Sequence, residues 1–394
     1  MYYRALYHDI LPHLYHKNAI IITGMRQVGK TSLMKLLAAA WEGKFLWYDL
    51  DNPLDQLIFE NKDYNQIYES LRKESAAIKE ERFLVCIDEI QNFPEITRII
   101  KYLIDHYKVK FIVNGSSNYY LRNLFPESLS GRKFLYVLYP LSYREFLYFN
   151  NQITDSDLQP DPGGSFIPRT LHDAYKYREL YDEYLEFGGF PEVALTQDQT
   201  TKRLILKNIF ASFFEKDIKV FSELKDIREL RDMILLLGPR NGNILDVSRL
   251  ASELSINRVK AYSYLEFLAG TFFLHLVPKF TGSTDRSVAG GKKVYFSDTG
   301  ILNLVTKTHP GQVLEVAVAN QLKAYGEISF FNKRNTSEID FILNNEIALE
   351  VKQKAIPPDI HKLEKLASSL NLSKFFVVSN SPVDENSVIY PWLF

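Results

Sequence analysis

Residues 19–37 read AIIITGMRQVGKTSLMKLL, and the expected fold is built outward from them. Ala19 to Thr23 form an apolar, largely β-branched run, the composition of a buried strand. The run enters Gly24-x-x-x-x-Gly29-Lys30-Thr31, and an apolar pattern at helical spacing follows. Strand, glycine loop and helix in that order is the setting in which the P-loop pattern has physical meaning. Gly24 and Gly29 permit a tight loop through Met25, Arg26, Gln27 and Val28 whose backbone N–H groups point inward at phosphate oxygens. The start of the new helix adds partial positive charge. Lys30 reaches the β- and γ-phosphates, and Thr31, followed by Ser32, offers a hydroxyl to Mg²⁺. The stretch predicts a nucleotide site spanning residues 24–32.

The 394 residues leave room for about two to four domains at ~150 residues each. Apolar residues make up 46% and charged residues 24%, an ordinary balance for a globular chain with real cores. The net charge of −1 excludes a global basic field, so any nucleic-acid contact must rest on local patches. The lone Cys86 excludes an intramolecular disulfide framework and a thiolate zinc cluster, and points to a reducing compartment. His8, Asp9 and His13 interrupt the first residues, so no signal-peptide core is expected there. No apolar run approaches the ~18 residues of a membrane span. The expectation is a soluble cytoplasmic protein with no membrane partner.

After the glycine loop, FLWYDLD (45–51) reads as a second strand and residues 54–80 as helical. FLVCIDEI (83–90) is a buried strand ending in two acids, the Walker B arrangement, about 60 residues beyond the loop. Asp88 would hold Mg²⁺ and Glu89 would polarise the attacking water. VKFIVNGSS (109–117) is a further strand whose polar end, Asn114 to Asn118 with Ser116, is either a γ-phosphate sensor or a polar loop. Arg132 precedes another strand and is either an arginine finger directed at a neighbour's nucleotide or a surface arginine. Strand–helix alternation to residue 150 predicts a parallel sheet with helices on both faces.

Residues 151–170, rich in Asp, Pro, Gly and Ser without periodicity, read as a linker. Helical patterns over 171–240, broken at FGGFPEV (187–193), read as a lid. Residues 241–305 have the outline of a winged helix, with two short helices followed by a hairpin. Asn257, Arg258 and Lys260 would face outward on the second helix, and the wing carries Lys279, Arg286, Lys292 and Lys293. Arg258, Lys260, Arg286, Lys292 and Lys293 are therefore the candidate DNA contacts, the other reading being a packing spacer. In residues 306–394, Asp340 and Glu350-x-Lys352 match the PD-(D/E)xK pattern, with Glu315 as a helical acid. Glu315, Asp340 and Glu350 would bind a divalent ion, with Lys352 beside the attacking water. That site assembles only if Asp340 pairs opposite Glu350, which requires an odd-numbered loop around Asn344, Asn345 and Glu346. The bland alternative is a charged hairpin on a mixed sheet.

Taken with GMRQVGKT, VCIDEIQ, NGSSN, LSGR, PLSYREF, FGGFPEV, KVYFSDTGIL, LEVAVANQL, SEIDFIL and ALEVK, the chain resembles a widespread family of archaeal and bacterial AAA+-type ATPases. These belong to the P-loop NTPase superfamily and join an ATPase to winged-helix and PD-(D/E)xK-like parts. The resemblance covers nearly the full length. It implies an α/β fold with a parallel ATPase sheet over 1–150, then linker, helical lid, winged helix and nuclease-like α/β domain. It implies ATP and Mg²⁺ as cofactors, with hydrolysis assigned to Lys30, Thr31, Asp88 and Glu89. It also implies double-stranded or branched DNA as the target and assembly with further copies. Val316 departs from the asparagine the family often carries after the helical acid. Three functions remain open at this point: a DNA motor or remodeller, an ATP-regulated nuclease, and a nucleotide-switched signalling or scaffold protein.

Overall fold

The computed structural model describes residues 2–78, 81–115, 129, 131–158, 178–217, 224–281, 291–333, 337–383 and 385–393. The chain divides into two compact units: Met1–Tyr139 with Gly270–Phe272, and Pro140–Ala269 with Phe273–Phe394.

The first unit is built on β1 (Ala19–Thr23), β2 (Phe45–Asp49), β3 (Leu84–Asp88), β4 (Lys110–Gly115) and β5 (Lys133–Val137). All neighbours pair in parallel, in the order β2-β3-β4-β1-β5. Every residue of β1, β3 and β4 is buried, which is why these strands read as unbroken apolar runs rather than alternations. Cys86 sits fully buried in the middle of β3. The chain leaves β1 through the helix Lys30–Ala39, yet the next strand, β2, lies at the far edge of the sheet. Such a departure leaves a crevice beyond the carboxyl ends of the strands, where open α/β sheets take their ligands. The helix Ile96–Tyr107 buries Ile96, Ile99, Ile100, Leu103 and Ile104, the i, i+3, i+4 stripe its sequence carries. Each such side chain contributes about 1.5–3 kcal/mol on burial.

One lysine interrupts this apolar pattern. Lys110, in β4, is fully buried, and its Nζ donates to the carbonyl oxygens of His13, His16 and Asn18 at 3.2, 2.9 and 2.7 Å. Arg82 donates to the carbonyls of Tyr15 and His16 at 2.6 and 2.8 Å. Together they fix the segment that delivers the chain into β1.

The second unit contains a two-stranded antiparallel ribbon, β6 (Leu274–Val277) with β7 (Lys293–Phe296). It also contains a five-stranded mixed sheet of β8 (Ile328–Lys333), β9 (Ser337–Leu343), β10 (Ile347–Lys352), β11 (Lys374–Ser379) and β12 (Val388–Ile389). The sheet order is β12-β11-β10-β9-β8, with β8, β9 and β10 antiparallel and β10, β11 and β12 parallel. The helices Val247–Glu253 and Arg258–Gly270 precede the ribbon. The ribbon is not a free wing. Lys279 bridges Phe330 of β8, and Phe280 N–H donates to the Phe330 carbonyl at 2.7 Å.

The segments expected as lid, winged helix and carboxyl-terminal domain thus belong to one compact unit. The FGGFPEV and DTGIL motifs explain part of this. Asp298 is buried and accepts the Gly189 N–H at 2.7 Å and the Ile301 N–H at 3.0 Å. A Cβ at Gly188 would lie 2.2 Å from Asp298 Oδ1, and one at Gly189 would lie 2.3 Å from the Leu141 carbonyl oxygen. Thr299 donates to the Tyr184 carbonyl at 2.9 Å, and Gln321 to the Tyr181 hydroxyl at 3.2 Å. The helix Arg178–Phe187 is therefore stitched to residues more than a hundred positions later.

Candidate functional site

Residues 24–32 form the expected loop and helix start at the carboxyl end of β1. Gly24 takes φ +144°, and a Cβ there would fall 2.0 Å from the Leu138 carbonyl oxygen, so no side chain fits. Gly29 caps the helix Lys30–Ala39 in a left-handed conformation, φ 97°. Gln27 also has positive φ, 61°. Lys30 is buried, and its Nζ donates to the carbonyl oxygens of Gly24 and Met25 at 3.1 and 2.7 Å. From below, the buried Arg4 donates to the Val28 carbonyl at 2.7 Å and to the Tyr139 carbonyl at 2.8 Å. Arg4 holds the loop in shape, and nothing in its local sequence marks it for that task.

Asp88 ends β3 beside the loop, and its Oδ2 accepts the Thr31 hydroxyl at 2.8 Å. Burial raises the Asp88 pKa above the usual aspartate value; the Thr31 hydrogen bond opposes the shift, and the Glu89 and Asp49 charges add to it. Such a carboxylate gains from a nearby cation. Thr31 and Asp88 supply two adjacent hard oxygens at a buried strand end, a donor set that fits Mg²⁺. Glu89 follows in a left-handed conformation, φ 51°, with its N–H donated to Asp88 Oδ1 at 3.0 Å and to Asn114 Oδ1 at 3.3 Å. Gln91 donates to the Glu89 carboxylate, and Arg26 Nη1 lies 3.9 Å from its other oxygen. Asn114 is fully buried in β4, and its Nδ2 has no hydrogen-bond partner among the described residues. Ser116 lies outside the described residues.

Arg132 is not at this site. It immediately precedes β5, and its carbonyl accepts the Ala19 N–H at 2.8 Å, at the amino end of β1. Parallel pairing puts that end of the sheet opposite the glycine loop. Its guanidinium ion-pairs with Asp105 at 2.6 Å.

In the second unit the DNA-contact set divides. Arg258 and Lys292 are exposed, with Arg258 resting 6.0 Å over the Tyr262 ring. Lys260 corrects the sequence reading. Its ammonium pairs with Asp226 and Glu229 at 2.6 Å each, which raises its pKa and commits it to the neighbouring helix. Lys293 is a second correction, being 3% exposed and turned into the unit. Arg286 lies outside the described residues.

Asp340 and Glu350 are brought side by side on the neighbouring interior strands β9 and β10. The β9–β10 hairpin closes through Asn344, Asn345 and Glu346, with φ of 52° and 57° at the two asparagines. The resulting register, Leu349 opposite Phe341, leads on to Asp340 opposite Glu350. This is the odd-numbered loop that the assembly requires. Asp340 Oδ2 accepts the Val351 N–H at 2.8 Å, and Lys352 pairs with Glu350 Oε1 at 2.8 Å. Glu350 is buried, and burial with the Asp340 charge raises its pKa, Lys352 opposing. Glu315 is raised in the same way, by burial and Asp340, against Lys293 and Tyr295.

With this geometry in place, known proteins supply a frame for the first unit. Residues 16–147 match the family model of the AAA domain. The match covers the glycine loop, Asp88 and Glu89, and agrees with the five-stranded parallel sheet. Residues 178–312 match a domain of unknown function, DUF8612. The uncharacterized protein MJ1544 of Methanocaldococcus jannaschii is 25% identical over 388 residues, covering 94% of this chain and 83% of its own. An uncharacterized protein of Haemophilus influenzae is 25% identical over 395 residues, covering 95% and 93%. Among solved structures, the Walker-type ATPase paby2304 of Pyrococcus abyssi covers 76% of this chain and 94% of its own, at 14% identity and a TM-score of 0.49. Among the described residues no helix is long and apolar enough to cross a membrane.

Proposed function

We propose that the chain is a Mg²⁺-dependent AAA+-type ATPase that works on DNA as a motor or remodeller. The observation that carries the ATPase reading is the Thr31 hydroxyl on Asp88 at 2.8 Å, beside a glycine loop that holds Lys30. Thr31 and Asp88 would hold Mg²⁺, which when bound offsets phosphate charge. Lys30 exchanges its two loop carbonyls for phosphate oxygens and stabilises charge gathering on the γ-phosphate. Glu89 orients the attacking water once its carboxylate leaves Gln91 and Arg26, and Asn114 offers an amide donor to the same region.

The DNA reading is supported by the exposed Arg258 and Lys292 on a helix-and-ribbon arrangement. A nucleotide-switched scaffold is the second reading. It is favoured by the internal ion pairs of Lys260 and Lys293, which remove two expected phosphate contacts. The experiment that separates them is ATP turnover with Mg²⁺ at moderate salt, with and without linear, single-stranded and four-way-junction DNA. The reactions are then examined on a gel. Stimulation by one DNA form, with the DNA intact, supports the motor. Turnover indifferent to every DNA form supports the switch, and no turnover at all removes the ATPase reading.

A further inference from the structure

The acidic cluster on the carboxyl-terminal sheet already holds a cation. Lys293, carried on β7, places its Nζ 2.7 Å from Glu338 Oε1, 3.5 Å from Glu315 Oε1 and 3.8 Å from Asp340 Oδ1. An ammonium has three N–H donors and no acceptor, and here three carboxylates surround it. Burial opposes its charge, but Glu315, Asp340 and Glu338 together raise its pKa above the ordinary lysine value.

Several of the remaining lone pairs in this cluster are committed, Glu350 Oε2 being buried without a hydrogen-bond partner among the described residues. The Tyr295 hydroxyl donates to Glu315 Oε1 at 2.6 Å. Asp340 Oδ2 is taken by the Val351 N–H, and Glu350 Oε1 by Lys352. Gly242 closes the other side of Glu315, where even a Cβ would come within 3.2 Å of Oε2. A divalent ion would need several of these oxygens at about 2.0–2.6 Å and room for its waters. Among the described residues no group of three or more His, Cys, Asp or Glu side chains is arranged to hold a metal ion. The residues present therefore do not fit the divalent ion that the D…E-x-K pattern implies.

We propose that Lys293 is the resident cation of this cluster. It stands where a nuclease-like fold would take its metal and locks β7 to β9 and to the helix Pro310–Leu322. The inference does not depend on the ATP site. It makes the carboxyl-terminal sheet a closed structural joint, and a metal-dependent nuclease activity is not expected from it.

The test is Mn²⁺ binding to the nucleotide-free full chain, followed by calorimetry and by the electron paramagnetic resonance of free Mn²⁺. Wild type and Asp340→Asn should give superimposable titrations. Lys293→Met should gain one equivalent of Mn²⁺, bound at least about tenfold more tightly than any wild-type site. Adding Asp340→Asn to Lys293→Met should remove that equivalent, whereas Mn²⁺ at the Thr31–Asp88 pair would be untouched by either change. A wild-type equivalent that disappears in Asp340→Asn overturns the proposal. So does a folded Lys293→Met protein that gains no site. If Lys293→Met does not fold, the wild-type and Asp340→Asn pair decides by itself, because neither alters Lys293.

Discussion

Lys30 donates to two neutral carbonyls of its own loop. An ammonium is attracted more strongly by a charged phosphate oxygen than by the dipole of a neutral carbonyl. An incoming phosphate can therefore displace both carbonyls with a net gain, and the loop is held ready without being frozen. Lys30→Ala should lower ATP turnover by at least about 100-fold. The variant's circular dichroism and unfolding midpoint should stay close to wild type. Wild-type turnover in a folded variant would refute the site. At this scale the sequence was most legible where function needs contiguous residues, as in Gly24 to Ser32 and in Asp88–Glu89. It was least legible for Lys260 and Lys293. Composition counts their charge, whereas their fate is set by Asp226, Glu229, Glu338 and Asp340, far off along the chain. Arg4 escaped for the same reason.

Between elements, the clearest signal was periodicity, and it placed β1, β3 and β4 within a residue or two. Motifs such as GGFPEV and DTGIL stood out equally, but for a packing reason. Gly188 and Gly189 are small because Asp298 and the Leu141 carbonyl occupy the space a Cβ would need. Asp298 caps the helix Thr299–Val305 while also accepting the Gly189 N–H. Asp298→Ala strands both backbone donors in a buried joint and should destabilise the second unit by about 2–4 kcal/mol. Trp392 is buried in that unit, and the two other tryptophans, Trp41 and Trp47, belong to the first. With both replaced by Phe, denaturant unfolding followed by Trp392 fluorescence reads the loss directly. An unchanged midpoint would show that the joint does not carry the stability assigned to it. The β9–β10 hairpin was legible only conditionally. Two asparagines favour left-handed turns, but the count of loop residues that sets the register cannot be fixed by composition.

For the molecule as a whole, the sequence suggests a string of modules, whereas the structure contains two units. Local patterning marks where an element begins and ends. It carries no trace of which distant elements share a core. Assembly is the matching question for Arg132. At the end of the sheet opposite its own glycine loop, it has no route to its own nucleotide, and Asp105 occupies it. Arg132→Ala should turn over ATP at the wild-type rate in dilute protein. A loss confined to concentrations at which copies associate, checked by light scattering, would assign it as a finger. A loss at every dilution would contradict its position at the far end.

The solitary thiol of Cys86 has a use at this same scale. It lies at the centre of β3, two residues before Asp88, and burial pushes its pKa up to about 12. Neither thiolate character nor access is therefore available to an alkylating reagent while the parallel sheet stays closed. As the chain carries no other cysteine, the rate of labelling under native conditions becomes a clock for opening of the first unit alone. When labelling is slow compared with reclosing, a ligand that binds only the closed form retards it by the factor 1 + [L]/Kd. Titrating nucleotide against the labelling rate should thus yield affinity without any attached dye, and Lys30→Ala should flatten the curve.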